Sequence, residues 1–597
     1  MGEKRRAVRE NLVRGVRLAW DASPRSLIAM TVFATVTALL APIVIWLGKQ
    51  LVDQIVARAG QGGGIGDLMP TIVAFGLVGG ADRALGIIRF YQQELYSRRV
   101  ERHAMQRFVA KAATVDLGHF DNSDWHDRMA RARRDVGWRP GQLTFTLIGL
   151  VATTVSIVGM LGLLASLHPL LVALSVVSLV PWVAIQRRTN RKIYEFHFSH
   201  TTEDRERWYM VDLLAGTEGA KELRSFGLMA HFLDRYDRIA GEHEAKLARL
   251  YRRGSLAASL AGIGTGVALA IAYGFVAARG LAGELTAGDL TAAIGAFAAV
   301  TAQASMLSSS LLQLEQHATF LDDLFAFFAV EPLVRVPDSP RVLPTTLSPG
   351  IAMRGVEFTY PRGSKSVLAG IDLEVRPGEL IALVGENGAG KTTIVNLLNR
   401  FYDPTAGSVS IGGVDLRDVD PAELRARIGV LFQDFAKYQF TLRDNVHLGR
   451  VEREPTDPDV LAALDAGRAR PLVDSLKQGL ESRLGRLFDG GHELSGGEWQ
   501  RLAVSRLIFR SADIWILDEP TSNLDPEAEA KIFAELKQQL AGRMAIVISH
   551  RFSTVRVADR IYVLEHGKVA ETGTHAELVA AGGRYAELFE IQAAGYR

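Results

Sequence analysis

Cysteine is absent from all 597 residues, so disulfides and thiolate metal sites are excluded and methionine is the only sulfur open to oxidation. A large charge excess is missing too. The 68 Lys and Arg offset 66 Asp and Glu to leave +2, and nothing in that balance calls for a nucleic-acid partner. A cleavable leader is not evident either. Met1-Gly2-Glu3-Lys4-Arg5-Arg6 runs into an amphipathic stretch reaching Ser26, with no early apolar segment ending in small residues, so the first apolar run reads as a retained membrane span. A chain this long exceeds one hydrophobic core and divides into at least two domains.

Long apolar runs are what the first half has in abundance. A helix crossing ~30 Å of hydrocarbon needs about 20 mostly apolar residues. Residues 27–46, 68–90, 143–164, 170–185, 256–278 and 290–314 qualify, and the third and fourth are joined tightly through Ser166-Leu167-His168-Pro169. Charged residues fall mostly in the connectors, which argues against the buried helices of a soluble protein. Arg98, Arg99, Arg102, Arg107, Lys111, Arg128, Arg131, Arg133 and Arg134 crowd the connector after the second run, and Arg187, Arg188, Arg191, Lys192, Arg252 and Arg253 flank the one after the fourth. The opposite connectors, Gly60-Gln61-Gly62-Gly63-Gly64 and Gly280-Leu281-Ala282-Gly283-Glu284, are nearly uncharged. Basic residues stay on the cytosolic side, so the N-terminus, both long connectors and the C-terminal half are expected there.

The two long connectors have helix-forming composition and are expected to carry the spans out of the bilayer as helical hairpins. Their tips, His119-Phe120-Asp121-Asn122-Ser123-Asp124-Trp125 and Leu214-Ala215-Gly216-Thr217-Glu218-Gly219, are expected to dock a second domain, the first through an exposed aromatic. Within the spans, Asp82, Arg83, Arg89 and Gln303 are costly in lipid and should face a bundle interior or watery cavity, as substrate contacts or as structural and snorkelling groups.

Pro332, Pro337, Pro340, Pro344 and Pro349 make residues 331–350 an extended spacer, dividing a membrane domain (1–330) from a nucleotide domain (351–597). There, the strand pattern Ile381-Ala382-Leu383-Val384 runs into Gly385-Glu386-Asn387-Gly388-Ala389-Gly390-Lys391-Thr392 and then a helical stretch beginning Thr393-Ile394. Strand, glycine loop and helix are what phosphate binding needs. Backbone N–H groups close round the phosphates, Lys391 reaches the outer ones, and Thr392 offers its hydroxyl to magnesium. A second strand, Ile514-Trp515-Ile516-Leu517, ends in Asp518-Glu519, a magnesium-holding carboxylate followed by one able to accept a proton from the attacking water. Leu494-Ser495-Gly496-Gly497-Glu498-Trp499-Gln500 adds another anion-binding helix start. One nucleotide does not need two such starts, so the second is expected to close over a nucleotide held by another copy.

Together these motifs resemble the ATP-binding cassette transporters of the exporter type, membrane and nucleotide domains fused as a half-transporter, over essentially the whole chain. The resemblance implies a six-span α-helical membrane domain followed by an α/β P-loop NTPase domain. By motif, Tyr360 in Phe358-Thr359-Tyr360-Pro361 would stack on adenine, and Gly385, Asn387, Gly388, Gly390, Lys391, Thr392 and Thr393 would form the phosphate loop. Gln433 would sense magnesium and the membrane domain; Ser495, Gly496 and Gly497 would form the signature that touches the partner's terminal phosphate. Asp518 would hold magnesium with Thr392 and Gln433, Glu519 would be the base, Asp525 in Ser522-Asn523-Leu524-Asp525 would lie on the loop crossing between sites, and His550 would be the switch histidine. By the same analogy the connector tips would be coupling helices, the second reaching the partner's nucleotide domain. Glu498 stands where the family more often has Gln, and Phe488-Asp489-Gly490-Gly491-His492-Glu493 also departs from the usual pattern. Both stretches look like exporters of ribosomally made bacterial peptides.

The expectation is a multi-pass protein of a bacterial plasma membrane. Using ATP and Mg2+, and paired with a second half-transporter of the same sequence, it exports a hydrophobic or amphipathic lipid, drug or peptide. The alternatives are an importer with the exporter fold and an ATP-dependent membrane sensor without net transport.

Overall fold

A computed structural model describes residues 2–59, 64–121, 123–199, 201–216, 219–361, 363–521, 536–540 and 542–594. Gly60 to Gly63 of the connector after the first run, Asn122, Thr217 and Glu218 of the connector tips, and Ser522 to Asp525 lie outside them. The chain forms two compact units, Met1–Thr114 with His126–Val330, and Val115–Trp125 with Glu331–Arg597.

Among the described residues the first unit has six helices long and apolar enough to span a bilayer: Pro24–Arg58, Met69–Ala112, Arg139–Leu167, Pro169–Ile193, Met229–Leu281 and Ala287–Phe328. Each covers one expected run, except that Leu68 is the residue preceding the second helix. Proline sits in the first turn of four of them, where its missing N–H has no intrahelical acceptor to lose. The second and fifth, 44 and 53 residues long, extend about 66 and 80 Å at 1.5 Å per residue, well beyond the hydrocarbon, as the connector composition predicts. Among the helices, Met160, Leu164, Leu171, Val276, Phe297 and Val300 form an apolar cluster.

The sixth helix opens on a capping box between Thr286 and Asp289, and Asp289 also pairs with Lys49 at 2.5 Å. Gly288 donates its N–H to Asp53 at 2.8 Å. A β-carbon there would meet the Lys49 carbonyl at 2.4 Å, so glycine is what lets the two helices approach. This buried ion pair joins residues just outside the apolar runs, where the sequence reading did not look. Asp82 and Gln303 are half-buried, and Arg83 and Arg89 exposed. The amphipathic N-terminal stretch is a helix, Gly2–Ala22, that buries Asn11, Leu18 and Ala19. Asn11 donates to the Ala318 carbonyl and to Asp322 at 3.2 and 3.0 Å.

The second unit holds two sheets. Strands β1 (Ile351–Phe358), β2 (Leu368–Val375), β4 (Ala406–Ile411) and β5 (Val414–Asp415) form an antiparallel sheet in the order β2-β1-β4-β5. The other has the order β10-β9-β3-β8-β7-β6, from β3 (Leu380–Gly385), β6 (Ile428–Leu431), β7 (Ile514–Asp518), β8 (Met544–Ile548), β9 (Arg560–Glu565) and β10 (Lys568–Gly573). All neighbours in it are parallel except β9 and β10. Strands β7 and β8 are buried at every position, the pattern of a parallel sheet covered on both faces. The proline-rich spacer is extended but not free-standing. Leu343 and Leu347 enter the core, Leu343 N–H donates to Glu423 at 3.0 Å, and Arg341 N–H to the Asp418 carbonyl at 2.7 Å.

The first connector tip belongs to this second unit, and its contacts differ from the expected exposed aromatic. Trp125 is buried and packs on His119 and Phe120, at ring separations of 5.2 and 6.2 Å. The docking groups are smaller. Asp116 accepts from the N–H groups of Leu333 and Val334, and Asp121 accepts the Tyr402 hydroxyl at 2.6 Å. A β-carbon on Gly118 would strike Leu333 at 2.8 Å and Tyr402 at 3.0 Å.

Candidate nucleotide site

Sheet order brings the motifs together. Strand β8 lies between β3 and β7, with Asp518 in register with Ile548. The carboxyl ends of these three neighbours therefore present the glycine loop after β3, Asp518-Glu519 after β7 and His550 after β8 on one edge, where ligands of such sheets sit. The loop enters the helix Lys391–Leu398 through Gly390 at φ +103°, and a β-carbon on Gly390 would lie 2.5 Å from Leu368. Asn387 and Gly388, with Gly385, Val367 and His566, line a cleft of about 350 Å3 beside the loop. Lys391 donates to the carbonyls of Gly385 and Glu386 at 2.7 and 2.8 Å, bracing the loop. Burial holds the Lys391 ammonium below its ordinary pKa, with Asp518 and Glu519 pulling the other way. Thr392 follows it in the first helical turn, and Thr393 is buried.

Asp518 is buried and its carboxyl is pushed up to about 6, first by desolvation and then by Glu519, against Lys391. Glu519 has φ +48°, a left-handed backbone uncommon outside glycine, held by its N–H to the Ile548 carbonyl at 2.9 Å. Its two carboxylate oxygens are divided. Gln433 Nε2 donates to Oε2 at 2.9 Å, and His550 Nδ1 lies 3.0 Å from Oε1. Gln433 thereby keeps its amide oxygen for a cation. Asp518, Thr392 and that oxygen are hard donors of the kind magnesium takes, and a cation there would relieve the cost of the buried carboxylate.

Tyr360 is anchored by its phenol, 3.1 Å from the Thr393 hydroxyl and 3.4 Å from Asn396 Nδ2, and edge-packed on Phe358 and Tyr402 at 4.9 and 5.3 Å. Ser495 is the N-cap of the helix Gly496–Arg510, so Gly496 and Gly497 lie in its first turn. Glu498 closes a capping box with it, accepting the Ser495 N–H and hydroxyl at 2.7 and 2.8 Å. Burial pushes the Glu498 carboxyl up, but those bonds together with Arg501 and His492 outweigh it and leave it below the ordinary range. The Gln-to-Glu departure in the signature therefore makes a cap. Among the described residues no hydrogen bond joins Ser495, Gly496 or Gly497 to the phosphate loop, so that anion site is not brought to this chain's own. Asp525 lies outside the described residues.

Three residues escaped the sequence reading as site members. Buried Gln500 donates to the Pro520 and Glu519 carbonyls at 2.6 and 3.4 Å, tying the signature helix to the strand end that carries the acids. Tyr402 bridges Tyr360 to the connector tip, and Gln592 reaches the backbone at His550. Only the position of Gln500, inside a quoted motif, gave a signal.

Residues 368–522 match the family model described as ABC transporter. An ATP-dependent lipid A-core flippase of Methylobacillus flagellatus is 31% identical over 98% of this chain and 97% of that protein. The subtilin transport ATP-binding protein SpaT of Bacillus subtilis is 27% identical, covering 81% of this chain and 79% of its own length. A solved bacterial Atm1-family ABC exporter with ATP bound superposes with TM-score 0.77 at 25% identity, over 95% of this chain and 97% of that one.

Proposed function

The chain belongs to the ABC transporter family, and from that premise we propose that two copies of it export an amphiphile, each nucleotide lying between the phosphate loop of one copy and the Ser495 helix start of the other. ATP-driven export by a multi-pass membrane protein is the activity its exporter relatives carry. The observation that carries the site assignment is the Glu519 carboxylate held between Gln433 and His550, on the same sheet edge as Lys391.

In that arrangement Tyr360 stacks on adenine, the loop amides and Lys391 hold the phosphates, and Glu519 takes the proton of the attacking water. His550, beside it, donates to the terminal phosphate. Asp518, Thr392 and Gln433 would hold a magnesium ion, which when bound neutralises charge developing on the phosphates. Closing the sandwich favours the outward-open state, and hydrolysis followed by release resets it. The basic connectors and the nucleotide unit face the cytosol of a bacterial plasma membrane.

The substrate class rests on the relatives' names, a lipid A-core flippase and a subtilin transporter, both of which imply amphiphilic cargo. The test is magnesium-dependent ATP hydrolysis by the purified chain in lipid nanodiscs, with Glu519→Gln as the blank. Activity that vanishes in the variant supports a self-sufficient homodimer; an inert, folded, dimeric wild type points to a different partner chain. Labelled lipid and a cationic amphiphilic peptide, offered to inside-out and right-side-out vesicles, then distinguish cargo and direction, and absence of any ATP-dependent flux would overturn transport.

A further inference from the structure

The C-terminal helix Arg584–Ala594 lies far along the chain from every motif described, yet its side chains end at the nucleotide site. Gln592 Nε2 donates to the His550 carbonyl at 2.6 Å while its Oε1 accepts the Phe552 N–H at 3.1 Å. One amide thus spans the backbone on both sides of Arg551, as a neighbouring strand would. A primary amide offers a donor and an acceptor together whatever the pH. The ring of Phe552 is packed edge-on against Tyr585 and Phe589 of the same helix at 5.3 and 5.2 Å, so the His550 segment is held by side-chain packing as well. At its first residue the helix pairs Arg584 with Glu386 of the phosphate loop. His550 in turn sits 3.0 Å from the Glu519 carboxylate.

We infer that Gln592 is a positioning residue for ATP hydrolysis, fixing the backbone at His550 so that the imidazole meets both Glu519 and the terminal phosphate. This rests on the reading of Glu519 and His550 above. Gln592 touches no substrate atom; its effect passes through the His550 carbonyl. Misplacement of a catalytic group by about 1 Å costs as much as a hundredfold in rate, so loss of this tether should lower kcat and leave ATP binding, which uses Tyr360 and the phosphate loop, nearly unchanged.

The test is steady-state ATP hydrolysis by the full chain in nanodiscs. Gln592→Leu removes donor and acceptor together and is expected to lower kcat about tenfold, with KM for ATP within about twofold of wild type. Gln592→Glu keeps the size and carries the test if the leucine variant does not fold. Ionised, its carboxylate can accept from Phe552 but faces the His550 carbonyl with no proton; protonated, it regains the donor. Its kcat relative to wild type should therefore be low at pH 8 and climb about twofold towards pH 5, where roughly a sixth of an ordinary glutamate carries a proton. A general packing role would not produce that rise. Wild-type kcat in both variants, or a ratio flat across that pH range, overturns the inference. His550→Ala distinguishes this from failure of the underlying reading: full activity there removes the histidine's role, whereas an inactive His550→Ala beside a fully active Gln592→Leu removes only the tether.

Discussion

The two units solve burial in opposite ways. The nucleotide unit closes on itself: β7 and β8 are buried throughout, and Ile514, Ile516, Ile546 and Ile548 lie at 2% exposure or less. The membrane unit does not. The most apolar 18-residue window of its second span has 0% of its residues buried within the chain, and Ile87 and Phe90 on that helix are each 72% exposed. An apolar helix face that the chain itself leaves uncovered is stable only where something else covers it, here lipid or a second copy. The nucleotide unit lacks a different thing. Among the described residues its core is well covered, but no hydrogen bond joins its Ser495 helix start to its own glycine loop, so what it leaves open is chemical.

Breaking that contrast at its chemical end should give the largest effect. Glu519→Gln is expected to lower ATP turnover about a thousandfold, ~4 kcal/mol in barrier, while retaining ATP and trapping the closed dimer; turnover by phosphate release together with cross-linking of paired nucleotide domains would check both. Next comes the closed core. Ile546→Ala should cost about 2–5 kcal/mol of stability in the nucleotide unit, read as a fall in its melting temperature. Tyr402→Phe removes a hydroxyl donated to Asp121 of the connector tip and should cost about 1–2 kcal/mol, visible as faster proteolysis of residues 115–125 in the intact transporter.

A pH experiment is comparable in size. The Asp518 carboxyl sits at about 6, above its ordinary 3.8, so its contribution to stability is full at low pH and is lost as pH rises through that window. On the proposed assignment magnesium has the opposite requirement, because it would need the carboxylate. Its apparent affinity should weaken about tenfold between pH 7.5 and 5, measured as the magnesium concentration giving half-maximal ATP hydrolysis. The smallest effect belongs to the open face. Ile87→Ala, at 72% exposure, should change melting by under about 0.5 kcal/mol if lipid covers it, and a larger loss that depends on protein concentration in detergent would place Ile87 in the dimer contact.

What was legible in the residues follows how far each signal reaches along the chain. Six apolar runs became six long helices because hydrocarbon thickness and helix rise are local constraints, and the strand, glycine loop and helix around Lys391 form from consecutive residues. The Ser495 start could be read for the same reason, since a cap is satisfied within its own first turn. Contacts made across the chain could not. The connector-tip aromatic turned inward because Phe120 and His119 were near enough to cover Trp125, leaving Asp116, Gly118 and Asp121 to dock. Lys49 and Asp289 found each other from opposite ends of the membrane unit, between helices whose pairing no periodicity encodes. By itself, then, the sequence determined the fold class, the strand, glycine loop and helix around Lys391 and the presence of an acidic strand end, all products of short-range spacing. Only the tertiary structure decided that Gln433 and His550, 86 and 31 residues from Glu519, share its carboxylate, and that Gln592 holds His550 from 42 residues away. Those distances are set by the order of strands in a sheet and the docking of a last helix, which depend on packing across the whole core.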